Sequence, residues 1–490
     1  MKKALYIILA LCLLFTLAAC GGGGGEKETT EASKTQGNGI TSTHMHCVCT
    51  GKAVGVGEHK ACFNDDGWIE VGTAKELTDA IAAASAAKPA YLALTADIEV
   101  DGYMEIGEGV GVYICLNGKT LTATTRNLGK LYISDCTGNG TWTSQKAYTI
   151  KNYAGASTEL FAGNLTISDK VLDTQIITLD GGADENLQLA ENDSILRIYS
   201  GKIYMAHESI KNGACIYALA RGIIEMYDGI ITGANVKTDA TDASARIGGN
   251  IDLAGTNSVM YMYGGEVSNG SIVCNGKDGT TSGAWGGNIA SYRGSLYVYG
   301  GVISGGFANG NGGNIASHNT SQVFFFENAT IKDGKCLNFG GNIYLNAPKD
   351  SHIVTFKNTV ITNGDAANSG GNIFFQNATL TIDGGEISNG KCAKELGGGF
   401  ASQGNDYPSV FTGNVKFENN EGSDILLRKH SSGKLAYISI AGLTTSTDIK
   451  IAGNADTYAF CEDAPAGVKL VAVDGFTLTT EGSKVTIAKN

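Results

Sequence analysis

Proline is nearly missing from this chain: there are 4 prolines in 490 residues, against 69 glycines. A collagen-like triple helix needs glycine at every third position with abundant proline, so that use of glycine is excluded. Positive charge is also scarce. Lys and Arg number 36 against 48 Asp and Glu, a formal net charge of −12. A nucleic-acid partner is therefore not expected, because neutralising phosphates takes clustered cations, and polyanionic polymers are disfavoured for the same reason. The apolar run from Ala4 to Leu17 is too short for a comfortable membrane span. What remains is glycine, asparagine, threonine and isoleucine, with 42% apolar residues. That mixture points to many tight turns between short strands.

The N-terminus speaks to compartment. Lys2 and Lys3 precede the apolar run, which ends in Leu17-Ala18-Ala19-Cys20. A basic head, a short apolar stretch and small residues before a break read as an export signal. The Leu-Ala-Ala-Cys ending resembles the lipobox of bacterial lipoproteins. That resemblance implies cleavage before Cys20, lipidation of its thiol and a stable membrane anchor outside the cytoplasm; a plain secretory signal with an incidental cysteine is the alternative. Gly21 to Gly25 and the Thr-rich stretch after them read as a flexible tether. The expected layout is a signal over residues 1–19 and a lipidated tether over 20–40. A Cys/His-rich segment (41–72), a capping helix (73–90), a solenoid (91–420) and a β closing region (421–490) follow.

An internal repeat decides the fold class. Gly-Gly-Asn-Ile recurs at Gly248–Ile251, Gly286–Ile289, Gly312–Ile315, Gly340–Ile343 and Gly370–Ile373. Between the copies lies a second phrase, as in Tyr263-Gly264-Gly265-Glu266-Val267-Ser268 and Tyr299-Gly300-Gly301-Val302-Ile303-Ser304. Spacings of about 26 to 38 residues suit one coil of a parallel β-helix with insertions in its loops. Strict alternation in Leu296-Tyr297-Val298-Tyr299 puts Leu and Val inward and the tyrosines outward. Met260/Met262, Phe324/Phe326, Val354/Phe356 and Leu380/Ile382 continue the inward column. The recurrent Asn250, Asn288, Asn314, Asn342 and Asn372 are expected to stack as a scaffold ladder, in left-handed turns that asparagine tolerates. Thr73-Ala74-Lys75-Glu76 is a capping box opening a helix with Leu77, Ala80, Ile81 and Ala84 on one face, and Lys88-Pro89 is expected to stop it. The fold class is all-β: a right-handed parallel β-helix with a short N-terminal capping helix.

These coils resemble the pectin-lyase-like β-helix superfamily. The paired Gly-Gly-x-Ile and Phe-x-x-Asn elements, as in Phe325-Phe326-Glu327-Asn328, are similar to repeats of polymorphic outer-membrane adhesins. The resemblance covers roughly Tyr91 to Asn420, most strongly after Lys211, and implies fold more than function. Enzymes of that superfamily carry grouped carboxylates with Ca²⁺ and a basic residue, or a carboxylate pair about the scissile bond. The coils contain no Asp-Asp, Gly-His-Gly or Arg-Ile-Lys, and Asp65-Asp66 lies ahead of them. Asp228, Glu266, Asp333, Asp383 and Glu386 read as turn residues.

Two constellations remain as candidate sites. His44, His46, Cys47, Cys49, His59 and Cys62 crowd one short segment. Cys47, Cys49, His59 and Cys62 supply a full tetrahedral set for a structural Zn²⁺, while a Cys47–Cys62 disulfide is the alternative in an oxidising compartment. The second is an outward aromatic ridge. Coil alignment places Tyr199, Tyr227, Tyr263 and Tyr299 in one column, with Tyr261, Tyr297 and Phe325 beside it. Rings about 4.8 Å apart suit a polysaccharide or a host or cell-surface protein, and also stabilise a solenoid by cross-strand contact alone. A thinner second set is Tyr292, His318, Asn346 and Gln376, with Tyr344 and Phe374 beside them. The expectation is a non-catalytic adhesin-like rod, against a carbohydrate-active enzyme on the same fold and a purely structural envelope protein.

Overall fold

A computed structural model describes residues 68–490, except 162–164, 173–174, 183–191, 211–212, 239–247, 275–283, 319–322, 347–352, 377–378, 394–395, 405–406 and 455–456. It also describes the backbone of a hairpin pairing Lys34–Gln36 with Ile40–Ser42. Cys20 and the segment holding Cys47, Cys49, His59 and Cys62 lie outside the described residues.

The chain winds as the expected parallel β-helix. One coil shows the plan. Val259–Met262 lies on a first face, Glu266–Ser268 on a second and Ile289–Ser291 on a third. Each pairs in parallel with its counterpart in the next coil, Ser295–Val298, Val302–Ser304 and Ile315–His318. At the corner between the second and third faces a separate seven-stranded ladder runs from Glu208–Ser209 to Lys391–Cys392. Parallel strands need long connections rather than tight hairpins, and a continuous winding supplies them without helices.

Burial drives the winding. The inward column Leu92, Ile114, Ile133, Leu160, Ile198, Met226, Met262, Val298, Phe326, Phe356, Ile382 and Phe411 climbs the first face in unbroken register. All of these side chains are buried. Each contributes about 1.5–3 kcal/mol relative to exposure. A slip of one residue would turn such a column outward, so the hydrophobic pattern fixes the register.

The asparagines inside the coil are paired. Asn250, Asn288, Asn314, Asn342 and Asn372 are fully buried, and each Nδ2 donates to the next Oδ1 at 2.7–2.8 Å. The ladder ends on Asn420, which stands 3.5 Å from Asn372. The left-handed geometry expected of these residues belongs instead to the first glycine of the last four motifs, with φ 64°, 63°, 70° and 68° at Gly286, Gly312, Gly340 and Gly370. The reason is the ladder itself: the Asn must aim its amide along the stack, so the corner is turned two residues earlier. The second glycine is required by close approach, since a Cβ on Gly313 would sit 2.2 Å from the Lys335 amide and 2.3 Å from the Gly341 carbonyl.

The parallel ladder passes both expected bounds. It begins at Trp68–Val71, which pairs with Ala90–Leu94, and continues through Ile425–Arg428 and Ile449–Gly453 to Leu470–Ala472. The capping box is present, with Thr73 accepting from the Glu76 amide and Glu76 reaching back to the Thr73 amide. Helix α1 spans Ala74–Ala82 and so ends well before Lys88-Pro89; Ser85 and Lys88 form a small bridge instead. Leu77 and Ile81 of α1 are buried in the main core, so the helix covers apolar surface at the first coils. At the far end Tyr458–Cys461, Lys484–Lys489 and Phe476–Glu481 form an antiparallel sheet. Covered ends keep a solenoid from pairing with other chains. Among the described residues no helix is long and apolar enough to cross a membrane.

Candidate binding face

Strand pairing sets the outward side chains of the first face in columns. The central column reads Trp68, Tyr91, Tyr113, Tyr132, Glu159, Arg197, Glu225, Tyr261, Tyr297 and Phe325. Two residues further along successive strands stand Phe161, Tyr199, Tyr227, Tyr263 and Tyr299, each amide from Phe161 onward bonded to the preceding coil. On the opposite side of the central column lie Ile195, Ile223 and Val259, and higher up Val323 and Ile353. The face is therefore aromatic along two columns and largely β-branched along the third.

The two aromatic columns join into one run of rings. Tyr91–Tyr113 and Tyr113–Tyr132 stack at 4.5 and 4.2 Å between centroids, and Tyr132 hands on to Phe161 at 6.2 Å. Phe161–Tyr199, Tyr199–Tyr227, Tyr227–Tyr263 and Tyr263–Tyr299 follow at 5.1, 4.9, 5.0 and 5.4 Å, all within 12° of parallel. Tyr261–Tyr297 stacks beside them at 5.1 Å, and Phe325 tilts against Tyr299 at 5.6 Å. Parallel stacking along the rod has a chemical consequence. The inner rings spend both π faces on each other, so they offer a ligand ring edges and phenolic oxygens rather than open aromatic platforms.

Exposure sorts the expected ridge residues. Tyr263 and Tyr299 are 46% and 38% exposed. Tyr227, Tyr261, Tyr297 and Phe325 are half-buried. Tyr199 is only 8% exposed, so the expectation of an outward contact residue fails there. Its ring is closed in by Phe161 on one face and Tyr227 on the other, and burial first, then nearby Glu159, pushes its hydroxyl up to about 12. Burial likewise raises the hydroxyls of Tyr261, Tyr263, Tyr297 and Tyr299, so all four are neutral donors at physiological pH.

A charged insert divides the aromatic column. Arg197 holds Glu159 at 3.1 Å and Glu225 at 2.6 Å, in the same register positions that tyrosines fill above and below. Glu159 is nearly buried, and burial pulls its carboxyl above the ordinary range even with the guanidinium beside it. Three charges in line, alternating in sign, replace ring stacking at these coils.

Sequence reasoning missed Trp68, Tyr91, Tyr113, Tyr132 and Phe161. The available signal was the apolar-Tyr-apolar triplet in Val112-Tyr113-Ile114 and Leu131-Tyr132-Ile133, which repeats the Met260-Tyr261-Met262 pattern without its glycine motif. The second set is brought together only in part. His318, Asn346 and Gln376 share one third-face register column, but Tyr344 and Phe374 are buried against Trp285, Ala316, Ala401 and Leu426, with Phe339 and Leu396 packed over them. Glu266 and Glu386 lie in second-face strands rather than turns. Among the described residues no group of three His, Cys, Asp or Glu is placed to hold a metal ion. No family model, curated protein or solved structure matches the chain.

Proposed function

We propose that this chain is a lipid-anchored, extracytoplasmic rod that binds rather than reacts, and that it grips an extended polysaccharide along the outer first face. The observation behind the reading is the outward register of Tyr261, Tyr297 and Phe325, half-buried, beside the exposed Tyr263 and Tyr299, flanked by Val259 and Val323. A surface that repeats from one coil to the next, as Tyr261 and Tyr263 do in Tyr297 and Tyr299, favours a ligand that also repeats. Each further sugar then meets the same edge and hydroxyl, and weak contacts add along the chain. A folded protein has no such periodicity to match. The ring edges supply apolar contact while the neutral phenols exchange hydrogen bonds with sugar hydroxyls. Anchoring follows from the lipobox-like Leu17-Ala18-Ala19-Cys20 alone. Incorporation of labelled fatty acid into the full chain, abolished by Cys20→Ala, is its test.

For the contact face, the purified body is applied to a glycan array beside Tyr263→Phe/Tyr299→Phe and Tyr263→Ala/Tyr299→Ala variants. Losing two hydrogen bonds of about 0.5–1.5 kcal/mol each weakens binding by about five- to 150-fold in the Phe pair, and the Ala pair loses it entirely with the β-sheet spectrum unchanged. A blank across diverse polysaccharides contradicts the reading. Retention on a cell-surface protein, lost in the same variants, would assign the face to a protein partner instead.

A further inference from the structure

Below the exposed ridge, two cysteines meet between neighbouring coils. Cys115 ends the strand Gly111–Cys115, and its register partner in the next coil is Ser134, two residues before Cys136. Their Sγ atoms lie 3.2 Å apart, and the Cys136 amide nitrogen stands 3.4 Å from the Cys115 sulfur. Cys115 is fully buried and packs with Trp68 and Ala93, with Tyr91, Tyr113 and Cys136 around them. Cys136 is half-buried. Other thiols are arranged differently: Cys336 and Cys392 share a corner column with Ala366 between them.

We propose that Cys115 and Cys136 are joined by a disulfide in the mature protein, a covalent staple between the coils at the N-terminal end of the rod. The two side chains already point at each other across adjacent coils, with 3.2 Å between the sulfurs. Bringing the sulfurs to bonding distance takes a shift of roughly 1 Å, within reach of small side-chain rotations. The oxidant is a disulfide of the small-molecule or protein thiol–disulfide type, of which oxidised glutathione is the simplest. Cys136, the accessible thiol, loses its proton and attacks that disulfide, releasing one thiol and leaving a mixed disulfide. Cys115 then loses its proton and displaces the second thiol. Two protein thiols and one external disulfide become one protein disulfide and two external thiols.

The surroundings favour a bond that lasts. The hydrogen bond to Cys115, and then burial, hold the Cys136 thiol well above its ordinary range. A poor thiolate is a poor leaving group in exchange, so the closed disulfide resists reduction. Catalytic exchange centres depress thiol pKa instead. The staple sits where Trp68, Tyr91 and Tyr113 begin the aromatic run, so it fastens two coils close to the N-terminal end, where Trp68–Val71 has a paired neighbour on one side only.

The test equilibrates the full chain with oxidised glutathione, alkylates remaining thiols under denaturing conditions and maps peptides without reduction. The expected result is a linked pair containing Cys115 and Cys136, two hydrogens lighter than the separate peptides, with neither residue alkylated. Oxidised Cys115→Ala and Cys136→Ser variants should melt several degrees below the oxidised parent, by equal amounts, and the double variant no lower. Alkylation of both cysteines after oxidation would overturn the assignment. So would a disulfide from either one to any other cysteine.

Discussion

Removing the amide of Asn314 puts the scaffold argument at risk. Asn314 Nδ2 donates to Asn342 Oδ1 at 2.7 Å and to the Lys332 carbonyl at 2.8 Å. Its Oδ1 accepts from Asn288 Nδ2 at 2.7 Å and from the Gly306 amide at 2.8 Å. The residue is fully buried, so no water replaces these partners. Asn314→Ala strands the Gly306 amide and one Asn288 N–H, each costing about 1–3 kcal/mol, and leaves a void; a loss of about 3–5 kcal/mol is expected. Asn314→Asp keeps the acceptor but loses both donors, and turns a charge toward Asn342 Oδ1 and the Lys332 carbonyl. Burial raises the folded pKa of that Asp above its unfolded value of about 3.9. Its penalty is therefore smallest below about pH 4 and grows as pH rises. Stability in a solenoid is local, so the assay is hydrogen exchange of peptides spanning residues 300–345, with urea unfolding beside it. An Ala variant within about 0.5 kcal/mol of the parent, the usual effect of a surface change, would refute the account of the ladder.

Further perturbations probe other links. Asp252 is buried on the third face, its Oδ1 has no hydrogen-bond partner, and burial pushes its carboxyl up to about 8. The folded protein thus prefers the protonated acid, and the penalty for ionising it grows from pH 4 to pH 8; Asp252→Asn should gain on the order of 4 kcal/mol at pH 7 and nothing at pH 4 by urea titration. Arg197→Met leaves Glu159 and Glu225 facing each other in place of two ion pairs. About 1–3 kcal/mol should be lost at pH 7, discounted for partial exposure, with partial recovery on acidification as Glu159 takes up a proton. Thr73→Ala removes the side-chain half of the capping box and should cost about 1 kcal/mol, read as faster exchange of the amides at the start of α1.

Legibility followed periodicity. Alternation in Leu296-Tyr297-Val298-Tyr299 gave side-chain direction, because inward and outward positions differ in burial and the pleat has a period of two. The Gly-Gly-Asn-Ile copies marked the corner, since a positive φ, a close backbone approach and a buried amide demand those residue types together. The capping box at Thr73 was legible because its chemistry is local. Early coils were harder. Trp68–Val71 carries neither motif, and its membership depends on pairing with Ala90–Leu94 across an intervening helix, a tertiary fact that the local pattern does not hold. The burial of Tyr199 was beyond reach for a similar reason. It depends on Phe161, one coil below in a segment without the glycine motif, closing the other side of the ring. Nor does alternation say which way ring planes turn, and that orientation moves the candidate surface from aromatic faces to edges and hydroxyls.

The central claim is that coils climb in register along the first face, and a distance across many coils tests it. Lys130 and Thr379 are exposed and precede two members of one pairing column, Leu131, Thr158, Leu196, Ile224, Met260, Leu296, Phe324, Val354 and Leu380. Spin labels attached through ketone-bearing residues at those two sites, read by pulsed dipolar spectroscopy, should give one narrow distribution near roughly 38 Å, eight steps of about 4.8 Å. A broad distribution, or a distance near half that length, would mean that the windings do not stack as described.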